Sequence, residues 1–249
     1  MMADDKQRFA QPHIPGDPLI LYNVWGAGSA AAVEAAGAKA LATGSHPVAK
    51  ANGCEDGEQL PFSRALDNAR AIISNVSVPI SIDMETGYGD SPEGVGRSAK
   101  QMVSLGVVGA NIEDQILGES ALRPIDDQVA RLSAAVEAGL FVNARTDLFI
   151  QTPPQDHDEN LVGQALERCQ AYSEAGAECF FAPFLVDERL IAKLCEAAAL
   201  PVNILMIDSC PSSSRLAELG VARISYGGGV WVNIMKHLEE QAAKVLSGN

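Results

Sequence analysis

The strongest restriction on the fold is a rhythm: a short β-rich run followed by a helical stretch, eight times over. The runs are LILYNVW (19–25), KALATGS (39–45), VPISIDM (78–84), VVGANIE (107–113), LFVNARTD (140–147), CFFAPF (179–184), PVNILMI (201–207) and VARISYG (221–227). Helical patterns such as SRALDNARAIISN, PIDDQVARLSAAVEAG and ENLVGQALERCQAYSEAG lie between them. A crossover long enough to hold a helix makes consecutive strands parallel. The runs are apolar on both faces, as buried parallel strands should be. Gly37, Gly106, Gly139, Gly176 and Gly220 fall where helices should stop, and Ser91-Pro92-Glu93 and Pro124 where they should start. Eight such units predict a single-domain (β/α)8 barrel over residues 1–249, with an N-terminal extension at 1–18 and a last helix at 229–249. A doubly wound open sheet is the competing topology, but NVWGAGSA after the first run lacks its glycine-rich phosphate loop.

Composition closes off several function classes. The formal net charge is -14, which argues against nucleic acid and anionic membranes as partners. No apolar run approaches the roughly 18 residues of a membrane helix, and MMADDKQRFAQPH has no secretory h-region. Cys54, Cys169, Cys179, Cys195 and Cys210 show no CxxC spacing, so reduced thiols in a cytoplasm are expected. The polar stretch 151–160, with His157, reads as a solvated surface loop.

Chemistry in such barrels gathers at the C-terminal ends of the strands. Strand three ends in SIDMETGYGD (81–90), where Asp83 and Glu85, two apart, face the same way. Strand four ends in Glu113-Asp114, strand five in Arg145 and Asp147, strand two in Thr43-Gly44-Ser45-His46, and strand seven carries Asn203. Carboxylates crowded around one mouth repel, so a cation should neutralise them. Oxygen donors without His or Cys suit Mg²⁺ or Mn²⁺. Arg145 suits a bidentate grip on a substrate carboxylate, and Tyr88 is a candidate contact at the substrate's end. Salt bridges internal to the barrel would explain the same acids without any ligand.

DMETGYGD (83–90), NIEDQ (111–115), NARTD (143–147), GCEDGEQLP (53–61) and VARISYGGG (221–229) occur in an order that resembles the isocitrate lyase/phosphoenolpyruvate mutase superfamily. The resemblance runs from about Leu19 to Gly228. It implies a (β/α)8 barrel with its last helix exchanged between subunits of a homo-oligomer. It also implies Mg²⁺ and a small 2-oxo acid or phosphonate substrate. By the same resemblance Asp83, Glu85 and Glu113 hold the metal, Arg145 binds a carboxylate, and Asp56 is the acid at the reactive end. Gly44, Ser45 and His46 form the turn whose amides hold substrate oxygens. The chain departs from the family's lyases after strand four. LGESALRP (117–124) lacks the Cys of their Lys-Lys-Cys-Gly-His loop, and the Asn-bearing loop of the mutases is absent too. The expected activity is therefore a simple C–C cleavage through a metal-stabilised enolate, such as oxaloacetate decarboxylation. Phosphorus–carbon chemistry and a silent 2-oxo-acid-binding barrel are the alternatives.

Overall fold

The computed structural model describes residues 2–248. Eight parallel strands follow one another: β1 Leu19–Leu21, β2 Leu41–Ala42, β3 Ile80–Asp83, β4 Gly109–Glu113, β5 Phe141–Arg145, β6 Cys179–Ala182, β7 Val202–Leu205 and β8 Arg223–Ser225. They lie in the order β1-β8-β7-β6-β5-β4-β3-β2. A parallel bridge between Val24 and Thr43, just past β1 and β2, brings the two ends of the sheet together. The expected barrel is present. Each strand is shorter than its sequence run, and Asp83, Glu113 and Arg145 are the last residues of β3, β4 and β5.

The helices are α1 Met2–Ala10, α2 Ala27–Ala35, α3 Ser45–Ala51, α4 Phe62–Ile73, α5 Pro92–Leu105, α6 Ile125–Glu137, α7 Leu148–Gln151, α8 Glu159–Glu174, α9 Glu188–Ala197, α10 Ser213–Glu218 and α11 Gly229–Leu246. α5 shows how local sequence sets the ends. The Ser91 hydroxyl accepts from the Gly94 amide at 3.2 Å, Pro92 opens the first turn, and Gly106 stops the helix at φ 102°.

Strand alternation sorts the interior into two apolar clusters. Outward residues such as Ile80, Ile82, Ile112, Val142, Phe180, Val202, Ile204 and Ile224 pack against the helices. Inward residues at the foot, Leu19, Leu21, Ala42, Phe141 and Cys179, form a smaller cluster closed by Phe9 of α1. The N-terminal extension is thus a plug. Phe9 meets Phe141 edge-on at 5.2 Å between ring centroids, and His13 lies 4.6 Å from the same ring. Above this foot the inward positions turn polar, with Asn111, Asn143, Asn203 and Arg223, which makes a polar mouth over an apolar base.

One stretch differs from its sequence reading. His157 is half-buried and donates from Nε2 to the carbonyls of Phe149 and Thr152, both at 3.0 Å, so it ties down the loop read as solvated. α11 leaves the barrel surface: from residue 236 to 248 every position is exposed. No helix is long and apolar enough to cross a membrane among the described residues.

Candidate active site

A cavity of about 360 Å³ opens at the C-terminal ends of the strands. Gly44, Ser45, His46, Asp56, Asp83 and Arg145 line it, as do Asn111, Arg223 and Ser225, which the sequence reading had not singled out. A larger groove, about 900 Å³, lies outside the barrel between α2 and β1, but it is an apolar trough without converging acids and bases. The smaller one is therefore the candidate active site.

Asp83 sits at the tip of β3 and is the carboxylate most firmly held there. Its Oδ2 accepts from the Ser45 amide at 2.9 Å, its Oδ1 from Asn111 Nδ2 at 3.0 Å, and its own amide donates to Thr43 Oγ1 at 2.9 Å. Asn143 Nδ2 in turn donates to Asn111 Oδ1 at 3.0 Å. The Ser45 amide, expected to hold a substrate oxygen, thus orients Asp83. Asn111 and Asn143 had a sequence signal that went unread: each stands two residues before a chosen residue, Glu113 and Arg145, and so points to the same side.

Glu85 and Glu113 stand behind Asp83 and do not line the cavity. Glu85 has a left-handed backbone, φ 52°, uncommon for a residue with a side chain. Its carboxylate accepts from the Tyr88 hydroxyl at 3.0 Å and from the amide of Glu58. Glu58 answers: its Oε1 accepts from the Thr86 amide at 3.1 Å, the Thr86 hydroxyl at 2.6 Å and the Tyr88 amide at 3.0 Å. The two glutamates clasp the loop before α4 to the turn after β3. Tyr88 therefore belongs to the clasp rather than to the cavity wall. Glu58 lay within the quoted GCEDGEQLP segment, but its partners are 28 and 30 residues away.

Glu113 forms an ion pair with Arg145 Nη1 at 2.8 Å. Asp147 grips the same guanidinium through Nε at 2.6 Å and Nη2 at 3.0 Å. Asp114 faces away, fully buried, accepting from Tyr172 at 2.8 Å and Arg168 at 3.1 Å, and belongs to the scaffold. Asn203 is buried below the cavity, where its Oδ1 accepts from Ser225 Oγ at 3.2 Å. Asn23 joins three strand ends at the rim, donating to the Thr43 carbonyl and accepting from the Tyr226 and Gly227 amides.

The acids are short of positive charge. Burial pushes the Glu85 carboxyl up to about 7, and the negative charge of Asp83 adds to the rise. Burial and then Asp83 raise Asp56 at the rim, although that residue is exposed as a whole. Burial also raises Glu113 well above its ordinary value while Arg145 pulls it back. Among the described residues no three His, Cys, Asp or Glu side chains converge closely enough to hold a metal as they stand. The donor chemistry nevertheless fits a hard divalent cation. Such an ion needs only one or two carboxylates and keeps several waters. Asp83 offers an oxygen donor in the cavity, and the raised acids around it would ionise once a cation neutralised them.

The sequence profile of the phosphoenolpyruvate phosphomutase family matches residues 9–246. The chain belongs to this family. It is thereby a member of the isocitrate lyase/phosphoenolpyruvate mutase superfamily of lyases and mutases. An uncharacterized protein of Mycobacterium tuberculosis is 32% identical over 223 residues, covering 88% of this chain and 81% of that protein. The 2-methylisocitrate lyase of Escherichia coli is 30% identical over 65% of this chain and 57% of its own length. Among solved structures, a Burkholderia cenocepacia J2315 protein provisionally named a phosphonomutase superposes with a TM-score of 0.95 at 40% identity, covering 100% of both chains. Membership accounts for the order of the motifs.

The turn after β4 carries no Cys, His or Lys between Leu117 and Pro124. It closes on itself through an antiparallel bridge between Gln115 and Leu122 and a bond from the Ile116 amide to the Ala121 carbonyl at 3.0 Å. None of residues 116–124 lines the cavity. Cys54 does not line it either.

Proposed function

We propose that this protein is a divalent-metal-dependent lyase that cleaves a C–C bond in a small 2-oxo acid, with oxaloacetate decarboxylation as its simplest form. The observation that carries this reading is a cavity rich in oxygen donors and guanidinium groups, to which the turn after β4 contributes no acid. Retro-aldol cleavage of isocitrate needs a base at the departing hydroxyl and an acid for the second product. The bond-breaking step of decarboxylation needs neither: CO₂ departs, and the electron pair of the broken bond is taken up as a pyruvate enolate. A hard cation bound at Asp83, with Glu85 and Glu113 behind it, would supply the positive charge that stabilises the developing oxyanion. Arg145, fixed by Asp147 and Glu113, keeps the second hydrogens of its Nη1 and Nη2 for a substrate carboxylate. Gly44, Ser45 and His46 shape the wall on the β2 side. Asp56, with its raised carboxyl at the rim, is the group suited to hand a proton to C3 of the enolate.

A coupled assay comparing pyruvate release from oxaloacetate with glyoxylate release from isocitrate and 2-methylisocitrate tests this, at one pH and one Mg²⁺ concentration. Oxaloacetate should turn over faster than the Mg²⁺-only background, and glyoxylate should not appear above it. Robust glyoxylate release would overturn the reading. The name of the 40% identical structural relative favours a second reading, phosphorus–carbon chemistry. Phosphonopyruvate in the same panel, read as released phosphate or phosphoenolpyruvate, decides between them.

We further infer a homo-oligomer. Ile14, Ile20, Tyr22 and Trp25 line the uncovered trough beside β1, with Val230 and Ile234 of α11 at its edge. Beyond that edge α11 carries Leu238, 59% exposed, and Val245, 78% exposed. A helix so placed would bury those residues in the corresponding trough of a second copy. Light scattering should give at least a dimer for the parent chain. The double substitution Ile234→Glu, Leu238→Glu should give a monomer. A monomeric parent at micromolar concentration would refute the arrangement.

A further inference from the structure

Arg223 is the second guanidinium of the cavity, and its surroundings are unlike those of Arg145. It projects inward from β8, 3% exposed, and lines the cavity floor. Its Nε donates to Ser225 Oγ at 3.2 Å, but its Nη1 is buried with no hydrogen-bond partner among the described residues. Arg145 by contrast spends Nε, Nη1 and Nη2 on Asp147 and Glu113. The neighbour of Arg223 in the sheet register is Asn203 of β7, whose Nδ2 is likewise buried and unpartnered. Ser225 Oγ links the two, accepting from Arg223 and donating to Asn203 Oδ1 at 3.2 Å. A full positive charge with an unspent donor therefore sits at the cavity floor, and a second unpartnered donor, on Asn203, lies buried just beneath it. Burial pulls the Arg223 guanidinium down to about 10, with the Cys179 sulfur and Asp83 opposing the fall.

A buried cation without an acid beside it is expensive to keep. A chain that retains one at the floor of its binding cavity uses it on a ligand of opposite charge. We propose that Arg223 seats the carboxylate adjacent to the 2-oxo group of the substrate, with Ser225 and Asn203 holding the guanidinium from below. This rests on the 2-oxo acid reading above. It adds that the substrate enters carboxylate first, so that its C3 substituent lies towards the rim beside Asp56 and His46. It also makes Arg223 a determinant of specificity: an uncharged amide in place of that carboxylate would leave the guanidinium buried and unpaired, and should bind poorly.

The test is calorimetric binding of oxalate, which carries two adjoining carboxylates, to the parent chain and to Arg223→Met at saturating Mg²⁺. Mg²⁺ alone is titrated in parallel, and melting temperature is followed with and without oxalate. Methionine matches much of the arginine's length without charge. The variant should bind oxalate at least about 30-fold more weakly, on the order of 2 kcal/mol. It should bind Mg²⁺ as well as the parent and, without ligand, melt at the same temperature or higher, because a buried unpaired charge has gone. The melting shift that oxalate gives the parent should vanish. If the variant binds oxalate as tightly as the parent, the assignment is wrong while the 2-oxo acid reading stands. Unchanged oxalate binding with a lowered melting temperature would make Arg223 part of a water-filled structural core. If the parent itself binds no oxalate with Mg²⁺, the 2-oxo acid reading fails and the role of Arg223 falls with it.

Discussion

Replacing Asp83 by alanine should abolish Mg²⁺-dependent binding of oxalate or oxaloacetate, a loss of at least about 100-fold or roughly 2.7 kcal/mol. Asp83 is the acid that both lines the cavity and lies among the raised carboxyls of Asp56, Glu85 and Glu113. Its removal takes away the best-held carboxylate of the cavity, leaving Asp56 at the rim, and the acids behind it cannot move forward. Glu85 is held by Glu58 and Tyr88, and Glu113 by Arg145. The alanine variant also strands the Ser45 amide and Asn111 Nδ2, so a loss of binding could arise from a disturbed turn. Asp83→Asn separates the causes. It keeps an acceptor for one of those donors and nearly the same shape, but carries no charge. Isothermal titration with Mg²⁺ and with oxalate should show both variants equally dead. Parent-like metal affinity in Asp83→Asn would show that the cation is held elsewhere.

The second large effect is expected at Gly89. A Cβ there would stand 2.4 Å from the Val95 amide nitrogen and 2.5 Å from the Gly94 carbonyl carbon. Both are backbone atoms at the start of α5, so no side-chain rotation relieves the clash. Gly89→Ala should cost about 3 kcal/mol or more, at the upper end of overpacking. In a chain of this length that lowers the melting temperature by about 6–12 °C. The displaced turn carries Glu85 and Tyr88, so Mg²⁺-dependent oxalate binding should weaken as well. Gly163, within α8, is the control: its Cβ would meet nothing within 4 Å, so Gly163→Ala should gain up to about 1 kcal/mol from helix propensity. A Gly89→Ala chain that melts with the parent would show that α5 can retreat at little cost.

Why a strand should end on two acids and then turn through two glycines has an answer in this geometry. Asp83 must reach the cavity while Glu85 is folded back behind it. Gly87 takes φ 109° to make the reversal, and Gly89 lets the first turn of α5 come down upon it.

The barrel was legible because its signals are local. Helix period, apolar runs and stop glycines act within a few residues of each other, and Gly37, Gly106, Gly139, Gly176 and Gly220 all take the positive φ that a helix stop requires. Alternation put Asp83 and Arg145 on the inward face of their strands, but it failed for Glu85, which lies past the end of β3, takes a left-handed backbone and folds back instead of facing the cavity with Asp83. What the sequence could not assign was partnership. Asn111 and Asp83 are 28 residues apart, Glu58 and Tyr88 30, and Asp114 and Tyr172 58, and only closure of the barrel brings them within hydrogen-bond distance. Residues alike on paper therefore separate in space. Asp83 faces the cavity while Glu85 and Glu113 stand behind it; Arg145 is gripped by two acids while Arg223 keeps an idle nitrogen. A side chain's charge and reach are written in the sequence, but whether that charge is neutralised, buried or left free depends on neighbours that distant strands supply.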